Sequence, residues 1–241
     1  MAYIKEDIEL KLKAGLPIPI DNAGLMRIPT FRVIADIGLS IYNLYLAYLL
    51  IDKNSLDKQM NKNMTNFDLF FANCYHSEEF KHIAFNGLQL FFNHEPSLEI
   101  NGEDYFINLE GQGFLNRENF MDFQEILMIS NNVKVSNEPE YKPGNSKAQE
   151  MINMIMKNRK KQPKLKEKMN LQSIVSALAW KENGLTIFSV FDLNIYQIYD
   201  GFHTTNNIDN YKHTIQGLYA GTIDSKNIKL ADIHWANKIN N

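Results

Sequence analysis

The side chains able to do acid–base or metal chemistry are thinly spread along this sequence. Six histidines occur, His76, His82, His94, His203, His213 and His234, and only the first two stand among carboxylates, around Glu78 and Glu79. Glu79-x-x-His82 puts a carboxylate and an imidazole on one helical face, the spacing that di-iron bundles use, but such a centre needs the motif on two helices plus two further glutamates. The chain holds no second copy. The run from His76 to His82 is also not the H-E-x-x-H of zinc proteases. The segment therefore reads as a solvated helical face, and no metal is expected. No G-x-S-x-G elbow is present, and Cys74 sits in an aromatic helical pattern, where a lone thiol serves as a small core hydrophobe. Gly111-Gln112-Gly113 and the stretch from Gly217 to Gly221 form neither G-x-G-x-x-G nor a phosphate loop, so no nucleotide cofactor is expected. Carboxylates that meet only in three dimensions are invisible to spacing. The expectation is a protein that is not an enzyme, with no catalytic residues and no cofactor.

Charge and aromatic content supply the remaining candidates. Lys157, Arg159, Lys160, Lys161, Lys164, Lys166 and Lys168 place seven cations within twelve residues, a candidate polyanion-binding segment. No aromatic residue is interleaved to stack on bases, and lysines near a helix C-terminus complement its dipole without any ligand. Both points argue against nucleic acid as a partner. Tyr42, Tyr45 and Tyr48 recur at every third position, and Tyr196, Tyr199 and Phe202 lie in a second aromatic run from Phe188 to Phe202. Such stripes usually build a core. The competing reading makes these six residues a protein-binding surface, because tyrosine gives contact area with few rotatable bonds to freeze.

The elements that must hold these residues are mostly helical, and the predicted class is α+β, predominantly α-helical, with small β-hairpins packed on a helical core. Leu16 to Ile28 reads as a hairpin around Asp21-Asn22-Ala23-Gly24. Pro29-Thr30 precedes a long apolar run, so Thr30 is expected to cap one central helix from Phe31 to Ile51. Helices follow over Asn66 to Tyr75 and Glu78 to Phe92, the second capped by Ser77. Asn101-Gly102 between alternating residues predicts a two-residue turn with Leu98 beside Tyr105. A helix after Asn116 runs to the Asn131-Asn132 stop. The two prolines and glycine between Asn137 and Asn145 mark a boundary, giving an N-terminal part over 1–137 and a helical part over 145–241, with one continuous domain as the alternative. Ser146 to Gln149 matches a capping box for a helix to about Lys161. Further helices are predicted over Leu171 to Trp180, from Thr186 or Phe191 to Phe202, and around Asp209 to Tyr219, with a short element from Ile228 to Trp235.

At 241 residues, 44% of them apolar and 12% aromatic, the chain can bury a substantial core, and a net charge of −3 gives no global pull toward nucleic acid or membrane. A single cysteine suggests a reducing compartment. The opening MAYIKEDIELKLK lacks the apolar core of a secretory signal, and the most apolar window, Ile37 to Ile51, falls short of the roughly 20 residues a membrane helix needs. No membrane association is expected.

The order of segments resembles a known family. The hairpin Leu16-Pro17-Ile18 to Ile28 leading into Pro29-Thr30-Phe31-Arg32-Val33-Ile34, the motif Pro143-Gly144-Asn145-Ser146-Lys147-Ala148-Gln149-Glu150, Leu171-Gln172-Ser173-Ile174-Val175-Ser176, and Leu193-Asn194-Ile195-Tyr196-Gln197-Ile198-Tyr199-Asp200 are similar to tail-module proteins of phages and prophages of low-GC Gram-positive bacteria. Tail assembly chaperone-like proteins share this pattern. The resemblance implies a morphogenesis protein in the host cell cytoplasm that binds apolar segments of tail proteins, such as the tape measure or the tube subunit. It implies no catalytic residue. A structural tail or baseplate component of the virion is the first alternative, and nucleic-acid binding through residues 157–168 the second. A homo-oligomer is left open.

Overall fold

The computed structural model describes residues 5–53, 64–102, 104–133, 169–181, 184–224, 226 and 228–237. In chain order these form α1 (Lys5–Lys13), the hairpin β1 (Ile18–Ile20) and β2 (Gly24–Met26), α2 (Phe31–Ile37), α3 (Leu39–Leu49), α4 (Asn66–His76) and α5 (Glu78–Phe92). There follow β3 (Pro96–Asn101), β4 (Asp104–Leu109), β5 (Gly113–Leu115), α6 (Phe120–Ser130), α7 (Leu171–Trp180), α8 (Ile187–Val190) and α9 (Ile195–Tyr219). The protein is mostly helical with two small antiparallel sheets, the predicted α+β class. The boundary at 137–145 and the helix predicted after Ser146 lie outside the described residues.

Local chemistry explains most boundaries. Ser77 caps α5 as predicted by accepting from Phe80 N–H, and Asn93, in the left-handed region at φ 59°, closes the other end. Between them Ala84, Gly87, Leu88, Phe91 and Phe92 are buried at the i, i+3, i+4, i+7, i+8 spacing of a core-facing helix. Gly87 lets α3 come close: a Cβ there would sit 3.0 Å from Leu49 Cδ1 and 3.2 Å from Tyr45 Cβ. Around this contact Phe67, Phe70, Phe92, Phe120 and Phe123 form a ring cluster with centroids 5.0–5.7 Å apart.

Several expectations are corrected. The run Phe31 to Ile51 is two helices, because Gly38 at φ 93° ends α2 and starts α3. It is not fully central either: Val33, Ile41 and Leu44 are all more than 40% exposed. Thr30 precedes α2 but its side chain makes no cap hydrogen bond. The free N–H groups of Phe31 and Arg32 are taken instead by the carbonyls of Leu193 (2.7 Å) and Phe191 (2.8 Å), so the turn before α9 caps α2. Asn116 accepts from the N–H groups of Glu118 and Asn119 one turn ahead of α6, whose N-cap is Asn119. In the β3–β4 hairpin Leu98 pairs with Ile107, not Tyr105, and Ile100 pairs with Tyr105. A shift of two residues leaves every side chain on its face, so alternation does not choose between these registers; the observed one puts Gly102, at φ 65°, first in the loop. Finally, the two helices predicted between Thr186 and Tyr219 are the short α8 and the 25-residue α9, which runs through Phe202 without a break. The described part of 228–237 forms turns.

The helices after residue 169 share the core of the earlier elements. Ile174, Val175, Leu178, Val190, Ile195 and Ile198 belong to the same buried cluster as Ile8, Leu12, Phe31 and Phe123. Phe31 packs on Phe191 at 5.2 Å between centroids, and Arg32 donates through Nε and Nη2 to Asp192 Oδ1. Among the described residues no helix is long and apolar enough to cross a membrane.

Candidate functional site

The six aromatic candidates do not gather on one surface. Tyr42 is fully buried, and its hydroxyl donates to Asn131 Oδ1 at 2.6 Å, joining α3 to the end of α6. Burial raises its phenol above the ordinary range, against the smaller lowering effect of the Asn131 bond. A side chain with no exposed surface offers nothing to a partner, so Tyr42 is a core residue and not part of a binding face. Tyr45 is half-buried beside Gly87, and Tyr48 packs on Phe80 at 4.7 Å, so the first stripe serves the α3–α5 contact. Phe202 is half-buried with its ring 5.4 Å from His203. Tyr199 borders a cavity of about 350 Å³ with Leu39, Asn43 and Asn131. Tyr196 alone of the six opens onto a groove of about 610 Å³. The basic candidates Lys157, Arg159, Lys160, Lys161, Lys164, Lys166 and Lys168 lie outside the described residues.

That groove is built where α1 meets α9. The last carbonyls of a helix lack intrahelical partners. Here Leu12 C=O accepts from Asn194 Nδ2 at 3.1 Å and Lys13 C=O from Gln197 Nε2 at 2.8 Å. Asn194 and Gln197 are also the N-cap and third residue of α9, bonded reciprocally in a capping box. One pair of side chains thus caps two helices, setting the negative end of α1 against the positive end of α9. Lys13 Nζ adds an ion pair with Asp200 at 2.9 Å.

From this junction the walls diverge. Glu6, Leu10 and Lys13 line one side at i, i+4, i+7, and Tyr196, Asp200 and Thr204 the other at i, i+4, i+8, while Trp235, Ala236 and Asn237 complete it. Leu10 is 67% and Trp235 46% exposed, so both keep apolar surface in water. Desolvation first, then the carboxylates of Glu9 and Asp200, push the Tyr196 phenol up to about 12, so it stays protonated and able to donate. Trp235 is held by its neighbours: His234 lies 5.4 Å from both the Trp235 and Tyr211 rings, and Asn237 Nδ2 donates to Ala231 C=O at 2.7 Å. Two helical walls with apolar and aromatic surface and paired charges at the rim suit the non-polar face of another helix.

Outside the groove, Asp68 and Cys74 serve the structure. Asp68 accepts from Tyr105 OH at 2.6 Å and Arg117 Nε at 2.5 Å, and Arg117 lies 4.9 Å from the Tyr105 ring centre. Cys74 is buried, and burial pushes its thiol up to about 12 despite nearby Lys81. Among the described residues no three His, Cys, Asp or Glu side chains converge on a point where a metal ion could sit.

Of the groove residues, sequence reading singled out Tyr196 alone. Leu10 is one apolar residue in a charged segment, and Trp235 follows a stretch with no periodicity. An exposed leucine facing a tryptophan more than two hundred positions away leaves no mark in spacing.

Residues 159–240 match the family model described as the YomV second domain, YomV being a protein of the Bacillus prophage SPβ. This stretch carries α7, α8, α9 and Trp235, and hence one wall and one end of the groove; α1, the other wall, lies outside the match. The C-terminal part is thus similar to a domain of a prophage protein. No curated protein and no solved structure matches the chain.

Proposed function

We propose that this protein is a non-enzymatic phage or prophage morphogenesis factor that binds apolar helical segments of tail proteins, acting as a tail assembly chaperone in the host cell cytoplasm. The observation that carries the reading is the α1–α9 groove, in which Leu10, Tyr196 and Trp235 present apolar and aromatic surface between two helical walls. Aromatic anchors in a groove with a polar rim are the usual means of seating a partner helix. A tape measure carries long apolar stripes that need cover until assembly. The prophage-related domain that supplies α9 and Trp235 supports the same setting.

Co-expression with the tape-measure and tube proteins of the same phage or prophage tests this. The expected result is a soluble complex that co-purifies, and that weakens when Tyr196→Asp and Trp235→Ala are combined. Failure of both tail proteins to co-purify, with the chain itself folded, would refute it.

A further inference from the structure

α1 is exposed in a way its own packing does not require. Ile8 and Leu12 bury its inner face, yet Leu10, on the outer face, is 67% exposed, and Trp235 beside it is 46% exposed. Lys5, which pairs with Glu9, precedes Glu6 and Asp7 in the first turn of α1, while Lys11 and Lys13 occupy the last, Lys13 also pairing with Asp200. After Lys5, Asp7 and Glu9 stand before Leu10 and Lys11 and Lys13 after it, a pattern complementary to itself when reversed.

We infer that, without a client, two copies of this protein pair through their grooves, α1 lying antiparallel on α1 of the second copy about a twofold axis near Leu10. Each residue advances a helix by about 1.5 Å, so Asp7 and Lys13 lie roughly equal distances, about 4.5 Å, on either side of Leu10. Reversal about Leu10 therefore sets Asp7 and Glu9 of each copy opposite Lys13 and Lys11 of the other, with Lys13 shared between Asp7 and its own Asp200. An isologous interface makes this contact twice and seats Leu10 against its own mate. Opposite charges on both flanks fix direction and register, and a parallel pairing would set like against like. The apolar surface that a client helix would cover is then covered by the second copy, so pairing and client binding compete for one surface. This inference rests on the groove being the client site.

Sedimentation velocity of the full chain, from low to high micromolar, reads the pairing directly. The expected result is a concentration-dependent dimer whose dissociation constant rises at least about tenfold in Leu10→Glu. Leu10 is exposed, so the substitution leaves folding intact by circular dichroism. A second variant reads the geometry: Leu10→Cys should cross-link to itself under a mild thiol oxidant, each disulfide forming as two thiols give up their hydrogens to the oxidant. Met121→Cys, equally exposed on α6, should not, and buried Cys74 stays silent in both. A chain that stays monomeric throughout, a dimer indifferent to Leu10→Glu, or equal cross-linking at both positions overturns the proposal. A monomer that still captures a tail protein sinks the pairing and spares the client reading; a Leu10-dependent dimer that captures none does the reverse.

Discussion

Replacing Asp68 by asparagine removes a charge and one acceptor oxygen at a junction of three elements. Oδ2 accepts from Thr65 N–H at 2.8 Å in the capping box of α4, and Oδ1 accepts from Tyr105 OH on β4 and Arg117 Nε ahead of α6. An amide of the same shape keeps a single acceptor oxygen. It can serve Thr65 or the Tyr105–Arg117 pair, and it turns an NH₂ toward the set it abandons. Hydrogen bonds to a charged group contribute about 1.5–3 kcal/mol, and water recovers part of the loss at the exposed Arg117, leaving a net cost of roughly 2–3 kcal/mol. In a chain of this size that lowers Tm by about 4–12 °C. The pH dependence provides a second reading. Burial works to raise the Asp68 carboxyl, but the bonds from Tyr105, Thr65 and Arg117 together outweigh it and hold it below its ordinary 3.8. A depressed folded-state value means the contribution is full above the unfolded value and is lost as pH falls through the folded one. Thermal unfolding followed by circular dichroism should show the gap between parent and Asp68→Asn widest near neutrality and closing below 3.8. A neutral-pH difference under about 2 °C, or a gap that persists unchanged in acid, would refute the reasoning.

Other positions test the packing. A Cβ on Gly113 would meet the Asn22 carbonyl oxygen at 2.0 Å, whereas one on Gly102 meets nothing within 4 Å. Urea unfolding should show Gly113→Ala losing roughly 4 kcal/mol or failing to fold, and Gly102→Ala, strained only by its positive φ, about 1–2 kcal/mol. Tyr42→Phe leaves the buried Asn131 oxygen without the hydroxyl that bonds it and should cost about 1–2 kcal/mol by the same assay. Cys74 should resist an aromatic disulfide reagent at pH 8 in the folded protein and react at once in denaturant, since it is 1% exposed and its thiol is pushed up to about 12.

What the sequence disclosed follows the range of the physics involved. Ser77 is a local signal, and α5 has the predicted bounds, Glu78–Phe92, with Ser77 as its cap. Gly38 is equally local but ambiguous, since a glycine within an apolar helix can pass or break, and here, at φ 93°, it breaks. Thr30 shows the same limit: a suitable cap residue was present, but carbonyls from a turn some 160 positions away took the donors first. The double role of Asn194 and Gln197 is half legible, because their capping box is a four-residue pattern while their bonds to α1 span more than 180 residues. The groove belongs wholly to that second kind. Tyr196 could be noticed as part of a stripe, but which of six aromatics opens onto the groove depends on where α1 and Trp235 come to rest.

The chain has two tryptophans, Trp180 and Trp235, and only the second lies in the groove. Trp180→Phe leaves Trp235 as the sole tryptophan reporter, and its emission can be followed while a helical segment of the cognate tape measure, free of tryptophan, is added. A saturable blue shift, lost when Tyr196→Asp is added, is the predicted result, because a seated helix withdraws the indole from water. Calorimetric binding of the same segment with no change in Trp235 emission, or no binding at all, would contradict the groove as the working surface.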